Sequence, residues 1–459
     1  MTPSLTLAII GGGFAGTCLA CHAQAALPAS ARILLFEGSG QAGPGLAYGT
    51  TDPAHLLNVP AGGMSLWADR PAHFSEWLAR QPDAPAAPAD GGPVFAPRRL
   101  YGRYLVQELA AAQDAPGAAL RVVPQAVAEV SRQGEGFLLR DAGGAEHAAD
   151  AVVLAIGGFA AGRGTPPCLF GDPWDPAALE GLDPQAPVLL VGMGLTMVDV
   201  LLSLRRRGHQ GPVLAVSRHG WLPLPHLEGP FPPAWPMTLP EPLPGPAALS
   251  RQLRREAARA AAAGTPWQAV VDGFRPLVQR VWRGWNGAQR RSFLRHGRTA
   301  WNLHRHRLPP EATYVLRAAV GEGSLRVLAG RLQDWQPQGQ GCLARLRLRD
   351  GALKEVPVDR ILLCTGPDGS ADWRQAAPVP ALLAQGLAVA DELGMAPAID
   401  SESRNLLGLG GAPVPSLYMI GPLTRGALWE ATAAPEIRAQ AAALVAYLSR
   451  DGVKRAKPV

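Results

Sequence analysis

The apolar run Leu5-Thr6-Leu7-Ala8-Ile9-Ile10 empties directly into Gly11-Gly12-Gly13-Phe14-Ala15-Gly16, and an alanine-rich stretch follows. A buried strand, a glycine turn and a helix in that order point to a parallel α/β layout. Gly11 permits the tight turn, Gly13 lets backbone approach a pyrophosphate, and Gly16 lets helix pack on strand. The helix start at Phe14 and Ala15 then offers N–H donors and a positive dipole end to phosphates. The next apolar strand, Ile33 to Phe36, ends in Glu37, where an acid binds ribose hydroxyls.

The pattern recurs with one substitution. Val188-Leu189-Leu190-Val191 leads into Gly192-Met193-Gly194-Leu195-Thr196-Met197, so methionine stands at the third glycine position. The strand Val213 to Val216 then ends in Ser217-Arg218-His219. Glu37 lies as far beyond Gly11 as Arg218 lies beyond Gly192. On that count one structural place carries an acid in the first copy and a base in the second. An acid there bonds a free 2′-OH, whereas arginine pairs with a 2′-phosphate, so the expected ligands are a dinucleotide with free ribose hydroxyls at the first loop and NADP(H) at the second. Asp150 to Gly157 and Asp359 to Gly366 share a further pattern, a buried strand running into a glycine. Gly157 is expected to bring backbone close to the first dinucleotide.

A chain of 459 residues accommodates two or three domains. The expected fold is α/β, two Rossmann-like units in tandem, with a Pro-rich and helical insertion at 221–310 in the second. No run of about twenty uncharged apolar residues suggests membrane insertion. Five cysteines, an odd number widely spread, point to a reducing compartment, the cytoplasm. A net charge of +6 comes without a nucleic-acid-binding signature, so no nucleic-acid partner is expected. Cys18-x-x-Cys21 falls on the first phosphate helix, where small buried thiols are expected rather than a redox pair.

These residues resemble the two-dinucleotide-binding-domain flavoproteins. The whole chain resembles the bacterial FAD-NAD(P)-binding family that includes the YdhS-type proteins, on Gly45 to Thr50, His55 to Ala61, Arg98 to Leu105, Gly192 to Asp199 with Ser217-Arg218, Trp301 to Pro309, and Gly421 to Arg438. The resemblance implies FAD at the first loop, with Arg98 among its contacts, and NAD(P)H at the second; it also implies that the second unit is inserted into the first, with 1–160 the first part of the FAD domain, 161–358 the NAD(P)H domain and 359–459 the rest of the FAD domain. Asn58, followed by Met64-Ser65 and Asp69, is similar to an asparagine stretch beside the flavin of flavin-containing monooxygenases, where the amide supports a peroxyflavin; it reads equally as a turn former before Pro60. By the same resemblance Gly421 ends a strand facing the flavin, with Trp429 and Glu430 lining the site, and a helix starting near Pro435 faces the flavin pyrimidine.

The stretch from Pro223 to Pro246 holds ten prolines, which reads as a loop or lid. Between Arg251 and Arg307 there are thirteen arginines against Glu256 and Asp272, with four tryptophans interleaved. That is either a solvated basic face packed on tryptophans or a subdomain covering the nicotinamide site. On the second reading Arg305, His306 and Arg307 contact a small, anionic substrate. His304 and His306 lack the further ligands of a metal site, so no metal is expected. The function expected is an NADPH-reduced FAD monooxygenase hydroxylating a small substrate. The alternatives are a flavin reductase passing electrons to a quinone or protein acceptor, and a non-catalytic nucleotide sensor.

Overall fold

The computed structural model describes residues 5–157, 168–366 and 373–455. Its first sheet has six strands in the order Asn405–Leu407, Pro413–Met419, Ala151–Leu154, Thr6–Ile10, Arg32–Phe36, Ala119–Val123. Thr6–Ile10 pairs in parallel with both neighbours, Ile10 opposite Phe36 on one side and Leu154 on the other. It is buried along its whole length, which accounts for its unbroken apolar run. The helices Phe14–Ala26, Arg98–Asp114 and Ala434–Arg455 share one core with this sheet, through Leu19, Tyr101, Leu105, Ile437 and Leu444.

The second sheet has seven strands in the order Leu353–Val358, Gly341–Leu348, Leu325–Gln338, Val213–Ser217, Val188–Val191, Arg360–Leu363, Leu169–Phe170. Val188–Val191 lies in parallel between Val213–Ser217 and Arg360–Leu363, as Thr6–Ile10 lies between Arg32–Phe36 and Ala151–Leu154. Both units then add antiparallel strands before the last of those: Val127–Gln133, Gly136–Asp141 and Glu146–Ala149 in the first, the hairpins after Leu325 in the second. The duplication therefore covers whole α/β units. Strands of the second sheet lie between those of the first in the chain, so the second unit is an insertion in the first.

One expected boundary moves. Arg360–Leu363 pairs residue for residue with Val188–Val191, so it belongs to the second sheet and not to the returning FAD domain at 359. Trp373 is the first described residue beyond it packed in the core of the first unit. The other expected boundary, at 160/161, lies outside the described residues.

Between Val213–Ser217 and Leu325–Gln338 the second unit carries its additional segment. From Trp221 to Gly245 it forms no helix or multi-residue strand, because proline removes N–H donors; Pro225 makes a single bridge to Leu308. The helices Pro246–Ala262, Trp267–Phe274, Val278–Gly284, Gly287–His296 and Arg298–Arg305 follow. Phe274, Trp282 and Trp285 form their core, and Trp429 of the first unit completes it. No helix among the described residues is long and apolar enough to cross a membrane.

Candidate functional site: two dinucleotide cavities

The first glycine loop is shaped by contacts no other residue tolerates. Gly11 has φ +105°, and a Cβ there would lie 2.8 Å from the Ala155 carbonyl oxygen. A Cβ on Gly16 would lie 1.8 Å from the Gly11 carbonyl oxygen, so the helix is pressed directly onto the loop. Gly13 precedes the helix without a side-chain cap, which leaves the first-turn N–H groups to a ligand. Glu37 stands at the strand end with its carboxylate accepting from the backbone N–H groups of Gly12 (3.0 Å) and Ser39 (2.6 Å).

A cavity of about 890 Å³ opens over this loop, lined by Gly11, Gly13, Phe14, Ala15 and Glu37, and further along by Gly157, Pro422, Thr432 and Ile437. Among the described residues its acidic side chains are Glu37, Asp52 and Asp175, against one arginine, Arg207. Gly16 acts from behind, by packing, and Gly421 likewise sits against Ala15, where its own Cβ would lie 3.1 Å away.

The second loop repeats the first turn by turn. Gly192 also has φ +105°, and a Cβ there would lie 2.4 Å from the Cys364 carbonyl oxygen. Gly194 again leaves the helix, Leu195–Arg206, uncapped. The third position differs, since Met197 is fully buried and fills the core that Gly16 leaves to backbone contact.

Strand register revises the count made from sequence. Val216 is opposite Val191 and Phe36 is opposite Ile10, so Ser217, not Arg218, occupies the place of Glu37. Equal spacing along the chain does not mark equal places. The chemical consequence survives in altered form: a neutral hydroxyl replaces the acid, and Arg218 stands next to it in the chain. Ser217 and Arg218 both line a second cavity, of about 610 Å³, with Gly192, Gly194, Leu195 and Thr196. Two further arginines, Arg298 and Arg331, and two histidines, His219 and His306, line it too, and no Asp or Glu does among the described residues.

Several expected site residues have other work. Arg98 does not line the first cavity. It donates to the Leu56 carbonyl (2.9 Å) and forms an ion pair of 2.8 Å with Asp199, on the phosphate helix of the second unit. Arg98 thus ties one unit to the other. Burial outweighs that arginine and pushes the Asp199 carboxyl above the usual carboxylate range. Beside it the His55 ring is 2.8 Å from the Ser203 hydroxyl and 2.8 Å from that of Thr50, and burial lowers its pKa.

Asn58 lines neither cavity. Its carbonyl accepts from His226 Nε2 (3.0 Å), and His226, held neutral by burial with a pKa lowered to about 4, reaches across from the Pro-rich segment. The Asn58 amide makes no hydrogen bond to the described residues.

Trp429 and Glu430 sit against the helical segment rather than in the cavity. Trp429 stacks on Trp282 with ring centroids 4.9 Å apart. Glu430, at φ +69°, accepts from Trp301 Nε1 (2.5 Å) and pairs with Arg305 (3.1 Å). Arg305 also reaches Glu436 (3.2 Å), and Arg307 pairs with Asp272; both arginines are buried. Neither can meet a substrate. Of the three expected substrate contacts, His306 alone faces a cavity, the second one.

Arg298, Thr299, Asn302 and Leu303 of the helix Arg298–Arg305 line that cavity beside His306. Their spacing of three and four is that of one helical face and is present in the sequence. Arg331 gives no such signal, because it arrives from the neighbouring strand. Cys18 and Cys21 are buried, their thiols reach separate carbonyls, of Leu66 and Glu108, and burial pushes both pKa values up, that of Cys18 to about 12. A thiolate pair is disfavoured there.

Residues 8–159 match the model of a family described as FAD-NAD(P)-binding. No curated protein matches the chain. Among solved structures, an ornithine N-hydroxylase of Kutzneria sp. 744 superposes with a TM-score of 0.62 at 15% identity, over 98% of this chain and 100% of that one. A cadaverine monooxygenase of Erwinia amylovora gives 0.60 at 13% identity, over 99% and 95%. A bacillithiol disulfide reductase of Staphylococcus aureus gives 0.55 at 13% identity, over 98% and 99%. The chain shares the fold of these proteins over nearly its whole length, and residues 8–159, in its first unit, are similar to the FAD-NAD(P)-binding family.

Proposed function

We propose that the chain is an NADPH-dependent FAD oxidoreductase that uses oxygen to hydroxylate a small substrate. The observation that carries the first half is the contrast between the two cavities. Glycine turns alike at Gly11/Gly192 and Gly13/Gly194 carry, among the described residues, three acids and one arginine around the first cavity, and three arginines and no acid around the second. A dinucleotide with free ribose hydroxyls suits the first, and one with an added 2′-phosphate suits the second.

On this reading the backbone of Gly11, Gly13, Phe14 and Ala15 holds the FAD pyrophosphate, and Glu37 takes the ribose hydroxyls. Gly157, Pro422, Thr432 and Ile437 line the rest of the cavity. Ile437 stands in the first turn of the helix Ala434–Arg455, whose positive end favours negative charge placed against it. In the second unit the first-turn N–H groups of Leu195 and Thr196 hold the other pyrophosphate, while Ser217, Arg218 and Arg331 meet the phosphate on the ribose. When bound, the flavin would supply the carrier that takes one hydride, two electrons with a proton, from the nicotinamide and passes the two electrons to the acceptor.

Oxygen is favoured as the acceptor because the buried Cys18 and Cys21 thiols are unsuited to a dithiol relay; an ornithine N-hydroxylase and a cadaverine monooxygenase share the fold, and so does a disulfide reductase. Asn58 lines neither cavity and holds His226 through its backbone carbonyl, so the reading gives it a structural place and no part in the reaction. The test is to reduce the FAD-loaded protein with NADPH and admit oxygen with a panel of small amines. Oxygen uptake matched by hydroxylated product supports the reading. Reoxidation that needs an added quinone or protein acceptor replaces it with a reductase.

A further inference from the structure

One short helix lines the second cavity and holds two residues that neighbour the lining of the first. Arg298, Thr299, Asn302 and Leu303 of Arg298–Arg305, with His306 at its end, roof the second cavity. At about 100° per residue these positions centre roughly a third of a turn away from Trp301 and Arg305. Those two side chains hold Glu430, at 2.5 and 3.1 Å, and Arg305 adds Glu436 at 3.2 Å. Glu430 lies two residues before Thr432, and Glu436 immediately before Ile437, and both Thr432 and Ile437 line the first cavity.

Glu430 is also strained. Its φ of +69° is a left-handed conformation that a non-glycine residue keeps only when its surroundings impose it. The surroundings here are Trp301 and the Arg305 guanidinium, both from the helix over the other cavity. Arg305 is 5% exposed and Glu430 8%, so neither is a solvated surface charge.

We propose that Arg305 and Glu430 are positioning residues that couple occupancy of the second cavity to the first. A dinucleotide seated under Arg298, Asn302 and His306 fixes the helix; the helix fixes Glu430 through Arg305, and Glu430 sets the segment that lines the flavin site. The proposal rests on the reading of the two cavities as FAD and NADPH sites. Coupling of this kind is reciprocal, so the redox state of the flavin must alter NADP+ affinity by the same factor as NADP+ alters the flavin's redox equilibrium.

The test is NADP+ titration of the FAD-loaded protein, oxidised and then reduced by dithionite without oxygen, followed by measurement of the flavin midpoint potential with and without NADP+. The wild type is expected to show dissociation constants that differ between the two states by roughly 5- to 150-fold, the usual span of such coupling. In Arg305→Met/Glu430→Gln, which removes both charges and leaves Glu436 with Arg275 (3.0 Å), the ratio falls to within about twofold while FAD is retained. Arg305→Lys, which keeps the charge but loses the fork that spans two carboxylates, restores part of it. A double variant with the wild-type ratio overturns the proposal, as does a wild type that binds both nucleotides with no difference between states. A wild type that binds no FAD or no NADP+ overturns the assignment of the cavities and, with it, the coupling.

Discussion

The two glycine loops start alike and part at their third position. Gly11 and Gly192 share φ +105°, and each brings a carbonyl, of Ala155 or Cys364, to where a Cβ would sit. Then Gly16 lets its helix touch the loop backbone, whereas Met197 fills the same place with a buried side chain. Loop geometry and ligand choice are therefore separable. The turn is dictated by backbone sterics and is common to both units, while the nucleotide preferred is set by the few side chains around it.

Gly16→Val breaks the comparison most severely. A side chain starting 1.8 Å from a carbonyl oxygen cannot fit without displacing the helix. Purified protein is expected to carry no FAD, read from its visible absorbance, whereas Met197→Leu, a volume-conserving swap, keeps both nucleotides and costs under about 1.5 kcal/mol.

Next in size is the bond between the units. Arg98→Met leaves Asp199 buried without its partner, which costs about 3–5 kcal/mol. Denaturant unfolding checks this, and Asp199→Asn in the same chain is expected to recover part of the loss. His226, which straps the second unit onto Asn58 of the first, gives a pH signature. Its pKa is lowered from 6.5 in the unfolded chain to about 4, so stability is intact above pH 6.5 and falls as the pH drops towards 4, by about 3 kcal/mol in all. His226→Gln is expected to flatten that part of the stability–pH curve.

The smallest effect sharpens the comparison. Ser217→Glu/Arg218→Met gives the second loop the acid of the first and removes the adjacent cation. The kcat/KM for NADPH should fall about 10- to 100-fold, matching the loss of a charge-assisted contact of about 1.5–3 kcal/mol, while that for NADH is maintained or rises.

The strands, both glycine turns and Glu37 are legible in the sequence because they rest on local rules, namely apolar runs and backbone conformations that glycine alone adopts. A count along the chain misplaces Ser217 by one position, because the helix and connection it crosses differ in length between the units; register is fixed only by pairing. The strand at 360–363 reads like any other buried strand, and its sheet is decided by Val188–Val191, far away in the chain. Arg98, Arg305 and Arg307 read as ligand contacts because an arginine beside a motif does not announce its partner. Their partners, Asp199, Glu430 with Glu436, and Asp272, are all distant in sequence. The roof of the second cavity is within reach of the sequence, since Arg298, Asn302 and His306 repeat at helical spacing, whereas Arg331 enters from a neighbouring strand with no sequence signal.

The central claim is that electrons enter through the second cavity and reach a flavin in the first. Anaerobic mixing of the FAD-loaded protein with NADPH or NADH, followed through the flavin absorbance, tests it most directly. The account predicts full reduction by NADPH, with NADH at least about tenfold less efficient in line with one charge-assisted contact. Equal reduction by both nucleotides would contradict the role given to Ser217, Arg218 and Arg331, and reduction by neither would contradict the electron path itself.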